Sequence, residues 1–174
     1  KGAYDRFRGR IMFPIRDSAG RVVGFSGRIL PENDDGKAAK YLNSPETAVF
    51  NKSRILYGFD LAKLAIKKFD YSVIVEGQMD IIMSHQAGFN NVVATSGTAL
   101  TPEHLTLLRR ISNRVIMAFD ADKAGVNAAT KAWQLALSLG MEVKIAEFKD
   151  GKDPADVILG ENGKEKFKEA LKES

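Results

Sequence analysis

The stretch VIMAFDADKAG, residues Val115 to Gly125, shows the arrangement of elements that decides the fold of this chain. A mostly apolar run of strand type leads directly into Asp120 and Asp122, and the Gly/Ala/Asn pattern of a helix start follows. Two carboxylates this close repel each other, and the proton affinity of at least one rises unless a cation or a basic side chain lies between them. The stretch therefore predicts a strand, an acidic strand end with a positive partner, and a helix.

The same order of elements recurs along the chain after Phe69. Strand-like runs precede helical patterns in YSVIVEG and MDIIMSHQAG, NVVATSG and TPEHLTLLRRI, NRVIMAFD and KAGVNAATKAWQLALSLG, and EVKIAEFKD and DPADVILG. Apolar strands that alternate with helices are typical of a parallel sheet with helices packed on it. The sequence therefore predicts an α/β fold for residues 70–160.

The residues that precede this region predict a smaller α+β lobe, residues 1–69. RIMFPIRDSAGRVVGFSGRIL contains two β-rich runs on either side of an Asp-Ser-Ala-Gly turn, which is typical of a hairpin. The polar loop PENDDGKAAKYLNSPET follows, and the apolar spacing from Ser53 to Phe69 predicts an amphipathic helix. At the other end of the chain, residues 161–174 are expected to form an amphipathic helical tail.

The charge is distributed unevenly along the chain. Lys1 to Lys68 contain 14 Lys/Arg and 7 Asp/Glu, a net charge of +7, whereas Phe69 to Ser174 contain 12 and 15, a net charge of −3. A basic lobe beside an acidic one fits a protein that brings a polyanion and a metal ion together, and nucleic acid is the usual polyanion. The alternative is an ordinary protein with two solvated faces.

The composition excludes several classes of protein. The chain has no cysteine and 2 histidines, so it can build neither a disulfide framework nor a thiolate zinc site. It contains neither an apolar run of about 18 residues nor a recognisable signal peptide, so we expect a cytoplasmic protein with no membrane partner. The first residue is Lys1 rather than methionine, which indicates a piece of a longer chain.

Acidic residues follow three of the predicted strands. They are Glu76 and Asp80, Asp120 and Asp122, and Asp153 and Asp156. Function in open parallel sheets gathers beyond the carboxyl ends of the strands, so these side chains can converge on one volume. Oxygen ligands without histidine or cysteine suit Mg²⁺ or Mn²⁺. The positive partner expected beside Asp120 is therefore a divalent metal ion.

A capping role competes with this interpretation for two of the acids. Asp122 can cap the helix that begins at Lys123, and Asp153 can cap a helix with Pro154 at its first position. Glu76 has no such alternative, because a carboxylate that closes a buried apolar strand caps nothing locally.

These segments also resemble a known family. Residues 70–160 resemble the Toprim domain of topoisomerases and primases. The segments that carry this resemblance are VIVEGQMD, VVATSGTALT and VIMAFDADKAG. RFRGRIMFPIRD, GRVVGFSGRIL, KYLNSPET and FNKSRILYG resemble the RNA polymerase core of bacterial DnaG-type primases, so the resemblance extends over nearly the whole chain. It implies a Toprim-type parallel sheet flanked by helices, with a smaller basic N-terminal α+β lobe.

The resemblance also implies roles for individual residues. Glu76, Asp120 and Asp122 match the family's catalytic and metal-binding acids, and Asp80 and Asp153 match further acidic positions of the same site. Asp156 departs from the family pattern, in which the last two aspartates are often one residue apart. The positions implied in template or nucleotide contact are Arg28, Lys40, Asn43 and Lys52, with Arg6 and Arg10 as neighbours.

The activity that the resemblance implies is template-directed synthesis of short RNA primers on single-stranded DNA. The implied reactants are a single-stranded DNA template and ribonucleoside triphosphates, the product is an RNA primer, and the cofactor is Mg²⁺ or Mn²⁺ without zinc in this chain. The family's N-terminal zinc module and C-terminal helicase-binding domain are not expected here, so contact with the replicative helicase would use domains absent from this chain.

Two other classes of protein share some of these features. A Toprim nuclease or a topoisomerase-like enzyme would use the same acids, and a topoisomerase needs a tyrosine nucleophile that the sequence does not locate. A receiver-like signalling domain would also show alternating strands and clustered acids, but it leaves the basic lobe unexplained.

Overall fold

The computed structural model describes residues 2, 4–34, 36–148 and 153–174. Predictions that fall on Lys1, on Asp35 and on the end of the EVKIAEFKD segment lie outside these residues. The first element is a small antiparallel sheet of order β1-β2-β3, formed by Arg10–Arg16, Val22–Ile29 and Tyr41–Asn43. The turn between β1 and β2 is held by the Asp17 carboxylate, which accepts hydrogen bonds from the backbone of Ala19 and Arg21. The predicted hairpin is confirmed.

The second sheet is parallel and contains four strands. They are β4 (Ser72–Val75), β5 (Val92–Ala94), β6 (Arg114–Met117) and β7 (Glu142–Ile145), in the order β5-β4-β6-β7. Because β4 and β6 are neighbours, the acids that follow these two strands come to the same edge of the sheet. The predicted α/β class with a smaller α+β lobe is confirmed.

Among the described residues, one α-helix precedes the parallel sheet, three connect its strands, and two follow its last strand. The α-helices are α1 (Phe59–Phe69), α2 (Gln78–Gln86), α3 (Pro102–Arg109), α4 (Lys123–Ser138), α5 (Pro154–Leu159) and α6 (Gly163–Glu173). The short 3₁₀ helices are η1 (Pro31–Asn33) and η2 (Lys52–Arg54). None of the described helices has both the length and the apolar character needed to span a bilayer.

The parallel sheet has a hydrophobic core on each face. Ile74 packs with residues of α1, α3 and α4, whereas its neighbours Val73 and Val75 pack with residues of α2, α5 and α6. Successive side chains of a strand point to opposite faces, so a strand covered on both faces is apolar at every position. α1 and α6 thus share cores with the parallel sheet, and the domain boundaries at residues 69 and 160 stay predictions.

The helix predicted from Ser53 begins later, at Phe59. The residues before it form η2 and a bridge in which Tyr57 pairs with Ala94 of β5. Gly58 then adopts a left-handed conformation with φ of 76°. A Cβ atom there would meet the end of the Ile81 side chain, and the positive φ favours glycine at this position. Apolar periodicity alone does not reveal this break.

Candidate active site

The acids that follow β4 and β6 are joined by a hydrogen bond across the edge of the sheet. Glu76 comes directly after β4, and its Oε1 accepts a hydrogen bond of 3.4 Å from the backbone N–H of Asp120. Burial raises the pKa of Glu76 above its ordinary value of 4.5, the charge of Asp122 raises it further, and the Asp120 hydrogen bond lowers it. Residues that lie 44 positions apart in the sequence therefore meet at this edge of the sheet.

Asp80 connects the helices that follow β4 and β7. Its Oδ2 accepts a 2.9 Å hydrogen bond from the N–H of Gly77, and its Oδ1 accepts one of 3.2 Å from the N–H of Ala155 at the start of α5. The side chain is buried, and burial raises its pKa to about 6, with the charges of Asp153 and Glu76 adding to the rise. Its position is thus fixed by two backbone donors.

Asp120 carries the largest electrostatic perturbation among these acids. Burial and then the charges of Glu76, Asp80, Asp153 and Asp122 raise its pKa to about 7. Its Oδ1 is buried and has no hydrogen-bond partner among the described residues. A buried carboxylate oxygen without a donor, surrounded by other carboxylates, is costly unless a cation compensates it.

The glycine that follows the acidic pair, Gly125, has a steric role. A Cβ atom at this position would collide with the carbonyl oxygen of Asp120. The first turn of α4 can therefore lie directly against the Asp120 backbone only because residue 125 has no side chain.

Asp122 and Asp153 both act as helix N-caps. The Asp122 Oδ1 accepts a 2.7 Å hydrogen bond from the N–H of Gly125, and the Asp153 Oδ1 accepts one of 2.7 Å from the N–H of Asp156. The capping interpretation of both residues therefore holds in the structure. It does not exclude a second role, because each bond occupies one of the two carboxylate oxygens.

The carboxylates do not form a preformed cage. Over the described ranges, no three acidic or histidine side chains are grouped closely enough to hold one ion. Mg²⁺ does not require such a cage, because it commonly keeps several waters and binds through one or two carboxylates together with substrate phosphates. The all-oxygen donor set and the unpartnered oxygen of Asp120 fit an ion of this type.

The structure does not bring Asp156 into this group. Its side chain is exposed, and its charge is not among those that raise the pKa of Asp120. Its backbone N–H donates to Asp153, so its position is that of an ordinary residue in the first turn of α5.

Tyr41 of β3 lies beside Arg28 of β2 and close to the acids. The guanidinium of Arg28 lies 5.8 Å from the centre of the Tyr41 ring. Burial raises the pKa of Tyr41, Arg28 lowers it, and the charges of Asp80 and Asp153 raise it. Tyr41 therefore lies between a basic residue and the acid group. Sequence reasoning assigned it no role, although it belongs to the KYLNSPET segment.

Asn43 links the antiparallel sheet to the loop that follows β5. Its Nδ2 donates a 3.0 Å hydrogen bond to the carbonyl of Ser96, and its Oδ1 is buried without a partner in the described part of the chain. The backbone N–H of Ser96 in turn donates to the carbonyl of Glu76. Asn43 is thus connected through one residue to the strand end that carries Glu76.

The remaining basic candidates differ in their surroundings. Arg10 donates from Nη1 to the carbonyls of Gly27, Ala39 and Lys40 at 3.0, 2.8 and 3.4 Å, so it holds the start of β3. Arg6 is exposed and, with Arg10, lines an open concave surface of about 550 Å³. The Lys40 side chain is exposed, as expected of a group that meets phosphate from solvent.

Lys52 lies on η2 and is half-buried. Its backbone N–H donates to Glu46, and its carbonyl oxygen is 2.8 Å from Nε2 of His104 in α3. Its ammonium forms no ion pair with another described residue, so this positive charge is available to a ligand.

Known protein families match both parts of the chain. Residues 1–63 match the N-terminal domain of the DNA primase catalytic core, and residues 73–158 match a Toprim-like domain. A DNA primase of Listeria monocytogenes is 48% identical over 170 residues, which cover 97% of this chain and 26% of that protein. The chain thus spans about a quarter of the length of the curated relatives it matches.

Solved structures show the same fold. The zinc-binding and RNA polymerase domains of the Aquifex aeolicus primase match with a TM-score of 0.91 and 39% identity, over 98% of this chain and 41% of that one. A DnaG primase catalytic domain bound to single-stranded DNA matches with a TM-score of 0.86 and 43% identity, over 98% of this chain and 53% of that one. The Toprim type predicted for the parallel sheet is confirmed, and the chain belongs to the family of bacterial DnaG-type primases.

Proposed function

We propose that the chain contains the catalytic site of a DNA primase, which synthesises short RNA primers from ribonucleoside triphosphates on a single-stranded DNA template. Family membership supports the reaction, and the arrangement of acids beside a basic lobe supports its location. The observation that carries the proposal is Asp120, whose buried Oδ1 lacks a partner among the described residues and whose pKa is raised to about 7 by burial and four other carboxylates.

Glu76, Asp120 and Asp122 would hold Mg²⁺ or Mn²⁺, with Asp80 and Asp153 as further acidic neighbours. Such an ion, when bound, lowers the pKa of an attacking 3′-hydroxyl and neutralises the charge on departing pyrophosphate. Asp156 is left out because it is exposed and does not perturb the other acids.

The residues of the chain determine where this chemistry takes place. The backbone N–H groups of Gly77 and Ala155 hold both oxygens of Asp80, so this carboxylate is oriented before any ligand arrives. The Asp120 N–H orients Glu76 in the same manner. Preorganised groups of this kind cost no reorganisation during the reaction.

The basic lobe would bind the phosphates of the template and of the nucleotide. Lys40 and Arg6 are exposed, Lys52 is half-buried, and Arg28 lies beside Tyr41, so these residues would supply the positive charge of the lobe. Arg10 contributes by holding the backbone of Lys40 rather than through a free guanidinium. Binding to phosphate releases counterions, so affinity for single-stranded DNA should fall steeply with salt.

A topoisomerase-like strand breaker is less consistent with the site. Tyr41 lies beside the acids, and burial raises its pKa; Arg28 lowers it, and the charges of Asp80 and Asp153 raise it further. A phenol whose ionisation is opposed in this manner is a poor nucleophile.

Incorporation of labelled ribonucleotides opposite single-stranded DNA, with Mg²⁺ or Mn²⁺, tests the proposal. Glu76→Gln should abolish incorporation while leaving the fold and most DNA binding intact, because it removes the charge and keeps the volume. Glu165→Gln, the same change at an exposed position of α6, should leave incorporation unchanged. Full activity of Glu76→Gln would contradict the assignment of the site. Plasmid nicking and labelling by acetyl phosphate, measured in parallel, would reveal a nuclease or a receiver-like protein.

The replicative helicase would contact parts of these longer primases that lie outside this chain. We propose a location in the bacterial cytoplasm, where replication takes place.

A further inference from the structure

His104 is a fully buried histidine, 0% exposed, in the first turn of α3. Its Nδ1 lies 3.3 Å from the backbone N of Thr101, and its Nε2 lies 2.8 Å from the carbonyl oxygen of Lys52. The backbone N–H of Thr101 can only donate, so Nδ1 must be the unprotonated nitrogen. Nε2 therefore carries the proton and donates it to Lys52, which determines the tautomer.

Thr101 binds Ser53, the residue that follows Lys52 in η2. Its hydroxyl donates a 2.7 Å hydrogen bond to the carbonyl of Ser53 and accepts one of 3.1 Å from the N–H of His104. The carbonyls of Lys52 and Ser53 are thus both bound by the start of α3. The two side chains that cap α3 are the same two that hold η2.

Buried Leu56 and the bridge between Tyr57 and Ala94 anchor the chain after η2, but η2 itself makes few hydrogen bonds to other described elements besides α3. Asn51 accepts from the N–H of Ser53 and from that of Arg54, but these bonds lie within the turn itself. The N–H of Lys52 donates to the exposed carboxylate of Glu46. A 3₁₀ turn of three residues is not stable alone, so the orientation of the Lys52 and Ser53 peptide groups depends on the hydrogen bonds that α3 supplies.

We propose that His104, together with Thr101, is a positioning residue that holds Lys52 where its ammonium binds a phosphate group. This inference rests on the proposed function, in which Lys52 contacts phosphate of single-stranded DNA or of a nucleoside triphosphate. Burial lowers the pKa of His104 below its ordinary value of 6.5, which favours the neutral tautomer that the two hydrogen bonds require.

Two substitutions separate the two hydrogen bonds of the imidazole. His104→Asn places an amide oxygen near the position of Nδ1, so it can still accept from Thr101, but it is too short to reach Lys52. His104→Gln places an amide nitrogen near the position of Nε2, so it can still donate to the Lys52 carbonyl. His85→Asn is the matched control, because His85 also bonds a backbone carbonyl, that of Val92, at 2.9 Å.

Affinity is measured separately for oligo(dT) and for ribonucleoside triphosphate without DNA, which distinguishes the two sources of phosphate. His104→Asn should weaken binding of the ligand that Lys52 contacts roughly three- to tenfold. It should also reduce the slope of log affinity against log salt by up to about the equivalent of one phosphate contact. His104→Gln should remain within about twofold of the wild type, as should His85→Asn. If His104→Asn does not fold stably, Thr101→Val removes the hydrogen bond to η2 instead. It should weaken binding of the same ligand.

A double-mutant cycle with Lys52→Ala decides whether His104 acts through Lys52. In the Lys52→Ala background, His104→Asn should have no further effect on affinity, because the charge that it positions is already absent. An equal effect of His104→Asn in both backgrounds, or a loss of melting temperature alone, would overturn the inference and leave the role of Lys52 intact. If Lys52→Ala itself changed neither affinity, the proposed role of Lys52 in binding would fail, and the inference with it.

Discussion

Asp120→Asn should stabilise the metal-free protein at neutral pH and remove most of its response to Mn²⁺. Asparagine keeps the size of the side chain and removes its charge. In the folded protein that charge is partly desolvated by burial, and it lies among the carboxylates of Glu76, Asp80, Asp153 and Asp122. In the unfolded chain both penalties disappear, so the substitution acts on the folded state.

The magnitude follows from the pKa of Asp120, which rises from its ordinary value of 3.8 to about 7. One pKa unit is worth about 1.4 kcal/mol, so the upper limit is roughly 4 kcal/mol. The side chain retains access to solvent, which screens the repulsion, and we expect about 1–2 kcal/mol. For a chain of this size this corresponds to an increase in Tm of about 2–8 °C.

The effect should depend on pH in a defined direction. Between the unfolded pKa of 3.8 and the folded pKa of about 7, the folded protein binds more protons at Asp120 than the unfolded chain does. Wild-type stability therefore falls as pH rises through this range and levels off above it. The advantage of Asp120→Asn should be absent near pH 4, grow with pH, and be complete near pH 8.

Melting curves with and without Mn²⁺, recorded at several pH values, provide the assay. Mn²⁺ at about ten times its Kd should stabilise the wild type by about 1.4 kcal/mol, because a ligand that binds only the folded state must stabilise it. Asp122→Asn is the matched control: asparagine also caps helices, and Asp122 contributes least to the raised pKa of Asp120, so its metal-free Tm should change little. Equal metal-free melting temperatures of the wild type and Asp120→Asn at every pH would refute the repulsion argument.

Three further predictions concern other parts of the site. Arg28→Ala should weaken binding of single-stranded DNA and reduce the slope of log affinity against log salt by about one unit or less, whereas an unchanged slope would place the phosphates elsewhere. Gly125→Ala should destabilise the protein by about 1–3 kcal/mol or more in chemical denaturation, because the added methyl group would collide with the Asp120 carbonyl. An unchanged denaturation midpoint would contradict that contact. Arg10→Lys keeps the charge but cannot reproduce the bonds to three carbonyls, so Tm should fall by the equivalent of about 1 kcal/mol while the salt slope of DNA binding stays the same.

Local patterns in the sequence predict much of the fold. Strands that are apolar at every position, each followed by a helical pattern, indicate a parallel sheet covered on both faces, and the structure has one. The capping roles of Asp122 and Asp153 are equally local, since each side chain bonds an N–H three residues further along the chain. The predicted start of a helix at Ser53 was wrong because the break depends on the left-handed backbone of Gly58 and on its contact with Ile81 of another helix.

The sequence by itself thus determined the class of fold, the acids at the strand ends and the caps of the helices, because all of these depend on residues close together along the chain. The tertiary structure decided the strand order, which sets β4 beside β6 and so brings Glu76 to the backbone of Asp120. It also decided that Asp80 binds Ala155, 75 positions away, and that His104 holds Lys52, 52 positions away. Contacts of this kind arise when separate segments pack on one sheet and exclude water from the groups between them, and the spacing of residues within any single segment carries no record of that packing.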